Sequence, residues 1–368
     1  MEKVFRSFIF NNGLSLKNRL VLAPMTTYSS NDDLTLSDEE EVYYKSRSKD
    51  IGLVITAAVA VSKNAQAFKN QISIRDERYL ESIKRLVKAI NEGGSKAVIQ
   101  LHHGGRMNQP NLYPNQDIVA PSSIKASREY AVTPRELRNS EVYDIIDAFI
   151  NAIKLSIKAG ADGVELHGAN TYLLQQFFSP NSNQRIDEFG PTLNKRYKFI
   201  DILVRRSQEV IKKYATKPFI LGYRLSPEEL EEPGITIDDT LYLVDNLAKA
   251  KVDYIHLSTS SYNATSIRNT SDNELIISKI KKVVANRTVI IGVGRIESKE
   301  DIEDVFNLGY DLAALGLPML ANPNNVKRLE NNENLIKEFN KESILPSKMF
   351  NTLKSWEEGL KQRGYTFK

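Results

Sequence analysis

Short apolar runs alternate with amphipathic segments along the chain, and this alternation occurs eight times. Runs such as VIIG and FILG are apolar on both faces, which is typical of parallel strands that are covered on both sides. The predicted strands are residues 19–24, 51–56, 96–101, 162–167, 218–223, 252–257, 288–292 and 311–315. The predicted helices are residues 37–49, 77–92, 142–159, 194–214, 237–250, 272–285, 298–308 and 322–331. This α/β pattern predicts a (β/α)8 TIM barrel, with an open doubly wound sheet as the alternative.

Two segments lie outside the repeat. Residues 104–141 separate the third strand from its helix, and a connection of this length is usually a lid or cap over a functional site. Residues 332–368 follow the eighth unit and predict a helix and an extended tail, EEGLKQRGYTFK. No linker composition interrupts the chain. We therefore expect a single domain, with the barrel in residues 1–335 and the C-terminal helix and tail in residues 336–368.

Composition narrows the class of protein. A hydrophobic content of 41% and a charged content of 26% are ordinary for a globular protein. The net charge of +4 is small and no basic run interleaves with aromatic residues, so we expect small-molecule ligands rather than nucleic acid. The absence of cysteine excludes disulfides, iron–sulfur clusters and cysteine nucleophiles. No signal peptide or membrane-spanning run is apparent, which favours a cytoplasmic protein without a membrane partner. The sequence is compatible with a homo-oligomer.

The end of the fourth predicted strand carries the most unusual cluster. His167, Asn170 and Tyr172 follow one another within six residues, where the strand should give way to a loop. Two neutral N–H donors can hold a carbonyl oxygen that gains negative charge, and a nearby phenol can supply a proton. The alternative is structural: His167 would cap the strand, Asn170 would form a turn, and Tyr172 would belong to the core.

Other unusual residues also collect at predicted strand ends, where (β/α)8 barrels carry their active sites. They are Pro24, Met25, Thr26, Tyr28, Ala58, Gln100, Arg224, Gly292, Gly294, Arg295 and Gly316. The loops after strands seven and eight commonly bind phosphate, which Gly292, Gly294 and Arg295 predict here, although the glycines could simply serve a tight turn. The motif GVGRIE is not a dinucleotide fingerprint, because Glu297 occupies the third glycine position. A mononucleotide cofactor fits this pattern better.

Several motifs resemble those of the Old Yellow Enzyme family, the FMN-dependent NAD(P)H oxidoreductases and ene-reductases, over roughly residues 4–330. The motifs are KNRLVLAPMT, TLSDEEEVYY, GLVIT, QLHHGGR, GVELHGANTYLLQQFFSPNSNQRIDEFG, YRLSPEE, VGRI and ALGLPMLANP. The resemblance implies non-covalent FMN, reduction of FMN by NADH or NADPH, and hydride transfer to an electron-poor alkene such as an enone. No metal site is implied.

The resemblance also implies roles for individual residues. Those implied to line the FMN site are Pro24, Met25, Thr26, Ala58, Gln100, Arg224, Gly294 and Gly316. Gln100 would bond the pyrimidine edge, Arg224 would face N1 and O2, and Thr26 would reach O4. His167 and Asn170 would hold the substrate oxygen, and Tyr172 would donate the proton. Tyr28 would line the substrate wall.

The chain departs from the family pattern at a few positions. Leu317 follows Gly316 where relatives often have a phosphate-binding arginine, which puts more weight on Arg295 and backbone groups. Pro191 follows Gly190 where a second glycine is usual. Arg363 resembles an arginine that some relatives insert into a partner subunit's active site, although a solvated tail is the favoured interpretation.

Two alternative functions remain open at this point. A flavin-binding barrel with little ene-reductase activity would share the FMN residues, although it would not need Tyr172 or the His167 and Asn170 pair. A metal-dependent barrel hydrolase would use His102, His103, His167 and His256. Neighbours in an extended chain point to opposite sides, so His102 and His103 make a poor pair of metal ligands.

Overall fold

Eight parallel strands close into a barrel in the computed structural model, which describes residues 1–113 and 115–368. The strands are β1 (Leu20–Leu22), β2 (Leu53–Ile55), β3 (Lys96–His102), β4 (Gly163–Gly168), β5 (Ile220–Leu225), β6 (Tyr254–Leu257), β7 (Val289–Val293) and β8 (Leu312–Leu315). Each strand pairs with the next along the chain, and β8 pairs with β1 to close the ring. The (β/α)8 prediction is confirmed, and the open-sheet alternative is wrong.

A layer of helices surrounds the barrel. They are α1 (Asp38–Arg47), α2 (Leu80–Glu92), α3 (Asn139–Lys158), α4 (Leu193–Tyr214), α5 (Ile237–Lys249), α6 (Ile276–Val284), α7 (Lys299–Asn307) and α8 (Asn325–Glu330). Capping residues set several of the starts: Ser37 and Thr236 accept from the third helical N–H of α1 and α5. The helix predicted at 322–331 is shorter, Asn325–Glu330, because it begins only after Pro323, and a separate short helix, Leu317–Ala321, precedes it.

Two apolar layers hold the fold together. The larger layer lies between the strands and the helices, and includes Phe149, Phe199 and Leu243. The smaller layer fills the barrel interior with side chains such as Val21, Val98 and Ile291, and an N-terminal hairpin closes its lower end. In that hairpin, Phe8–Ile9 pairs with Ser15–Leu16. The packed lower end leaves the opposite end, at the strand carboxyl termini, to form a site.

A repeated aspartate fixes the lower rim of the barrel. Asp162, Asp253 and Asp311 immediately precede β4, β6 and β8. Each carboxylate accepts a hydrogen bond from a backbone N–H of the preceding strand, at 2.9 Å from Ala97, 2.8 Å from Leu221 and 2.9 Å from Ile290. These bonds fix the register of neighbouring strands, and therefore which side chains share a level at the upper rim.

The predicted lid follows β3 and is only partly regular. It contains a 3-10 turn, Gly105–Met107, and two short paired strands, Val119–Ala120 and Arg135–Glu136. Helix α3 begins at Asn139, a few residues earlier than predicted, because the Glu141 carboxylate accepts from the Arg138 backbone N–H at 2.7 Å. Residue 114 of the lid lies outside the described residues.

The C-terminal segment is folded onto the barrel, and the predicted extended tail is wrong in part. Helices Ser347–Lys354 and Glu357–Lys361 come first, and Thr366–Phe367 then pairs with Glu338–Phe339. Tyr365 is fully buried and its ring packs on Phe339. Arg363 forms an ion pair with Glu297 of the same chain, rather than standing in solvent as the favoured interpretation had it. Within the described residues, no helix combines the length and apolarity needed to cross a membrane.

Candidate active site

Strand register places a set of polar side chains at the upper end of the barrel. Gln100 on β3 is level with Glu165 on β4, and Arg224 on β5 is level with both His167 on β4 and His256 on β6. All five are buried. Buried polar groups are retained only where they are paired or where they meet a ligand, so this cluster is the natural place for a site.

Arg224 is the cation of the cluster. Its side chain is buried, and its Nε atom has no hydrogen-bond partner among the described residues. Burial lowers its pKa, which the negative charge of Glu165 opposes. A guanidinium keeps its charge even so. The geometry suits an anionic or strongly polar ligand edge above β5.

His167 is uncharged. Its ring is buried, and Nδ1 has no hydrogen-bond partner among the described residues. Burial lowers the pKa of His167 well below its ordinary value, and the charge of Arg224 adds to the effect. A neutral imidazole beside a cation carries one N–H, which can donate to a ligand oxygen without giving up its proton.

Asn170 lies on a strained turn directly after β4. Both Asn170 and Thr171 have left-handed backbones, with φ of 58° and 67°. The Asn170 backbone N–H donates to Ser226 Oγ at 2.9 Å, and Ser258 Oγ donates to Asn170 Oδ1 at 2.8 Å. Because the amide oxygen is occupied, the NH2 group is the free end. Backbone strain of this kind persists where surrounding contacts enforce it, and it concentrates at functional sites.

A network of buried side chains holds this turn, and sequence reasoning missed it. Gln175 accepts from the Thr171 N–H at 2.9 Å, and Gln176 donates to the Thr171 carbonyl at 2.6 Å. Glu229, after β5, accepts from Gln175 at 2.7 Å and from Ser179 at 2.5 Å. The segment QQFFS and the acidic pair after SP contain these residues, but their pairing across about fifty positions leaves no local pattern.

Tyr172 belongs to an aromatic cluster at the mouth of the barrel. Its ring centroid lies 4.4 Å from that of His102 and 5.1 Å from that of His167. Phe68, which sequence reasoning also missed, lies 5.9 Å from Tyr172 and 6.0 Å from Tyr28. The lid residues Met107, Ala126 and Ala131 pack against Tyr172. Burial raises the pKa of Tyr172, so its hydroxyl keeps its proton at neutral pH.

The opposite side of the mouth is apolar. Met25, Thr26 and Tyr28 at the end of β1 line a slot of about 260 Å³ together with Leu317 and Leu320. Its outer wall comes from the C-terminal segment, through Met349, Thr352, Leu353 and Trp356. Gly316 adjoins Met25, and Pro24 is half-buried beside it. Ala58 after β2 is buried, and its carbonyl accepts from Gln71 at 3.0 Å.

The end of β7 and the loops after β7 and β8 contain the predicted phosphate residues. A Cβ on Gly292 would lie 2.8 Å from the Tyr310 ring, so this glycine serves packing toward the helix layer. Gly294 has φ of 104° and approaches the backbone of residues 259–261. Arg295 is exposed, and it shares a cavity of about 340 Å³ with Lys337 and Arg363, and with Glu297. Lys337 is a cation that the sequence did not point to, and Arg363 was singled out for a different role.

These features fit FMN. An unpartnered buried guanidinium and the Gln100 amide suit the pyrimidine edge of a flavin, and the slot beside Met25 and Leu317 suits its dimethylbenzene edge. Strands β5 and β1 lie on opposite sides of the closed ring, so the polar and apolar ends face each other across the mouth. In the described part of the chain, no three His, Asp or Glu side chains converge in a way that could hold a metal ion.

Comparison with known proteins points to the same cofactor. Residues 3–335 match the NADH:flavin oxidoreductase / NADH oxidase family. The chain is 40% identical over 323 residues to the probable NADH-dependent flavin oxidoreductase YqiG of Bacillus subtilis, covering 88% of this chain and 86% of that protein. It is also 40% identical over 337 residues to the NADH:fumarate oxidoreductase of Klebsiella pneumoniae, covering 91% of this chain but only 36% of that protein. A structure of morphinone reductase in complex with tetrahydroNAD superposes with a TM-score of 0.77 at 26% identity, covering 90% of this chain and 91% of that one.

The fold and the site thus define a flavin-dependent barrel oxidoreductase. The chain belongs to the NADH:flavin oxidoreductase family, of the Old Yellow Enzyme type, and uses FMN with NADH or NADPH as reductant. The barrel-hydrolase alternative is wrong.

Two adjacent histidines at the end of β3 give the protein a pH-dependent stability. Burial lowers the pKa of both His102 and His103 to about 3. The unfolded chain binds these protons near pH 6.5, so between about 6.5 and 3 the unfolded state carries more protons than the folded state. The contribution of these two uncharged histidines to the free energy of unfolding is fully present above about pH 6.5 and is lost as the pH falls.

His103→Gln is expected to flatten this dependence. His103 accepts from the Gly105 N–H at 3.1 Å and contacts Asn64 Oδ1 at 3.3 Å, outside the aromatic cluster. Between about pH 6.5 and 5, the free energy of unfolding of the variant should fall less steeply than that of the wild type, by a difference approaching about 1.4 kcal/mol per pH unit. Urea unfolding at several pH values measures both slopes. Equal slopes would show that His103 has the same pKa in the folded and unfolded states, which would contradict the prediction.

The lining of the apolar slot predicts that helix Ser347–Lys354 of the C-terminal segment helps to hold FMN. Leu353→Ala removes buried apolar area from the slot wall and should weaken FMN binding about tenfold. Leu360→Ala is the matched control, because Leu360 is equally buried in the same segment but does not line the slot. Quenching of FMN fluorescence on titration of apoprotein gives both dissociation constants. Identical values for the two variants would contradict this role.

Proposed function

We propose that the protein reduces electron-poor alkenes of the enone type, with NADH or NADPH as the electron source and Tyr172 as the proton donor. The observation that carries this proposal is the arrangement of uncharged His167, the free amide end of Asn170 and protonated Tyr172 at one end of β4. A barrel that only stored flavin would need none of the three.

When bound, FMN supplies the redox step by accepting hydride from the nicotinamide and passing it to the acceptor. Arg224, Gln100 and Thr26 are proposed to hold its polar edges, and Arg224 offsets the negative charge that reduction adds. Pro24, Met25, Ala58, Gly294 and Gly316 would line the same site. The phosphate end is assigned to Arg295 and the neighbouring loops.

His167 and Asn170 are proposed to bind the carbonyl oxygen of the acceptor. Both present N–H groups, and both are held in place before the substrate arrives, His167 by burial and Asn170 by Ser226 and Ser258. Negative charge develops on that oxygen as hydride reaches the β-carbon, so fixed donors stabilise the transition state more than the ground state.

Tyr172 is proposed to complete the reaction by protonating the α-carbon. Its high pKa keeps the proton available at neutral pH, and its position 5.1 Å from His167, between ring centroids, puts the phenol beside the oxygen-binding pair. Lid residues Met107, Ala126 and Ala131 pack against the ring and shield it in part from solvent. Tyr28 and Phe68 would form the wall that faces the substrate.

Isotope labelling tests the proposed chemistry directly. With nicotinamide deuterated at C4 in normal water, 2-cyclohexenone should give cyclohexanone deuterated at the β-carbon. With normal nicotinamide in deuterium oxide, the label should appear at the α-carbon. Gas chromatography with mass spectrometry locates each deuterium. Cyclohexanone lacking the β-label, or no product from a protein whose flavin is reduced, would contradict the proposal.

A further inference from the structure

A fully buried carboxylate and histidine lie beside Arg224, and neither has a part in the chemistry above. Glu165 on β4 and His256 on β6 have no exposed surface. Glu165 Oε1 accepts from Gln100 Nε2 at 2.7 Å, and its Oε2 bonds His256 Nδ1 at 2.9 Å. The carboxylate therefore joins three strands of the barrel directly beneath the mouth.

The charge states of this group follow from its contacts. Burial alone would raise the pKa of Glu165, but His256 and Arg224 outweigh burial and leave the pKa lowered. Burial lowers the pKa of His256, so the histidine is neutral and donates its Nδ1 proton to the carboxylate. Tyr254, the other titratable group facing Glu165, has its pKa raised by burial and stays protonated. Glu165 and Arg224 are the charged members.

Glu165 is also the carboxylate whose field acts most strongly on Arg224 among the described residues. Burying a full negative charge is costly, and a neutral glutamine could keep both contacts: its oxygen would accept from Gln100, and its NH2 would donate to Nδ1 of His256, whose proton would move to the unpartnered Nε2. The fold alone therefore gives little reason for a carboxylate here. A negative charge that partly offsets the positive charge of Arg224 does give a reason for a carboxylate at this position.

We infer that Glu165 is a positioning residue that sets the reduction potential of the bound flavin by partly offsetting the charge of Arg224. Reduction adds negative charge to the pyrimidine side of the flavin, which the Arg224 cation favours. Glu165 pairs with Gly222, two residues before Arg224 on the neighbouring strand, so both side chains lie on the same face of the sheet. Glu165 weakens that cation and so holds the potential down, because charges act strongly on one another in the buried interior. The inference rests on FMN binding and is independent of the alkene reaction.

Glu165→Gln is the first test, because it removes the charge and keeps the shape. The equilibrium constant for two-electron reduction of FMN should rise about tenfold, which is about 30 mV toward positive potential. The midpoint potential is measured by anaerobic equilibration with a redox dye, without nicotinamide or alkene. Glu228→Gln is the matched control, since that buried carboxylate accepts from Ser266 Oγ at 2.9 Å and Ile267 N at 2.8 Å, and should leave the potential unchanged.

Glu165→Asp separates charge from shape. This variant keeps the carboxylate, so the equilibrium constant for reduction of FMN should stay within about threefold of the wild-type value. The measurement on the aspartate variant can be made even if the glutamine variant does not fold. A rise in the aspartate variant as large as in the glutamine variant would overturn the inference, since geometry and not charge would then set the potential. A glutamine variant with the wild-type potential, or one that folds but no longer holds FMN, would also overturn it.

Discussion

Tyr172→Phe is expected to slow the transfer of hydride and proton to an enone by about 10²-fold or more, the range that a positioned general acid contributes. Flavin reduction by NADH involves no proton from this residue, so its rate should change by less than about twofold. The reason is structural: the phenol is held protonated beside His167 by burial under the lid. Anaerobic stopped-flow absorbance measures the two half-reactions separately.

The matched control for this variant is Tyr130→Phe. Tyr130 is a lid tyrosine that contributes electrostatically to the raised pKa of Tyr172, but its own side chain is exposed. Loss of that hydroxyl should leave both half-reactions close to wild type. If Tyr172→Phe slows both half-reactions equally, the residue shapes the site and is not the proton donor. If it slows neither, water or another group supplies the proton.

His167→Ala should lower kcat/KM for enone reduction by about 10²- to 10³-fold, the usual effect of removing one donor to a developing oxyanion. The same variant should bind phenols weakly, because the phenolate oxygen would use the same donors as the substrate carbonyl. Titration with a para-substituted phenol, followed by long-wavelength absorbance, measures this binding without turnover. Both effects arise from the uncharged, buried ring at the end of β4.

His103→Gln serves as the control for His167→Ala at a pH above 7. His103 is a buried histidine directly after the neighbouring strand β3, and its hydrogen bonds run to Asn64 and Gly105 rather than toward the site. It should bind phenols like the wild type. Unchanged phenol binding in His167→Ala would show that the imidazole is not an oxygen donor, and that Asn170 alone, or another group, holds the ligand.

The barrel could be predicted from the sequence because its signal is local and repeated. Each strand is a short apolar run and each helix has an amphipathic period, so eight units appear without knowledge of long-range contacts. His167, Gln100 and Arg224 were predictable for a related reason. They end apolar runs, and the fold brings all strand ends to one rim.

The supporting residues could not be predicted in this way. Ser258 orients Asn170 across 88 positions, and Glu165 binds His256 across 91. Phe68 lies in a loop without periodicity, and the space at Gly292 is limited by the distant Tyr310 ring. The tail was misjudged because its apolar residues are few, yet Tyr365 and Phe367 pack together against Phe339. Such contacts are set by tertiary packing, which a linear pattern does not contain.

We propose that electrons pass from a nicotinamide through FMN to an electron-poor alkene at one site. Anaerobic titration of the purified holoprotein with NADH and NADPH, followed by 2-cyclohexenone, tests it most directly. We predict that the flavin band at about 450 nm bleaches with the nicotinamide and returns when the enone is added. A band that bleaches but does not return with the enone would contradict the alkene reaction, and a protein that takes up no FMN would contradict the account of the site.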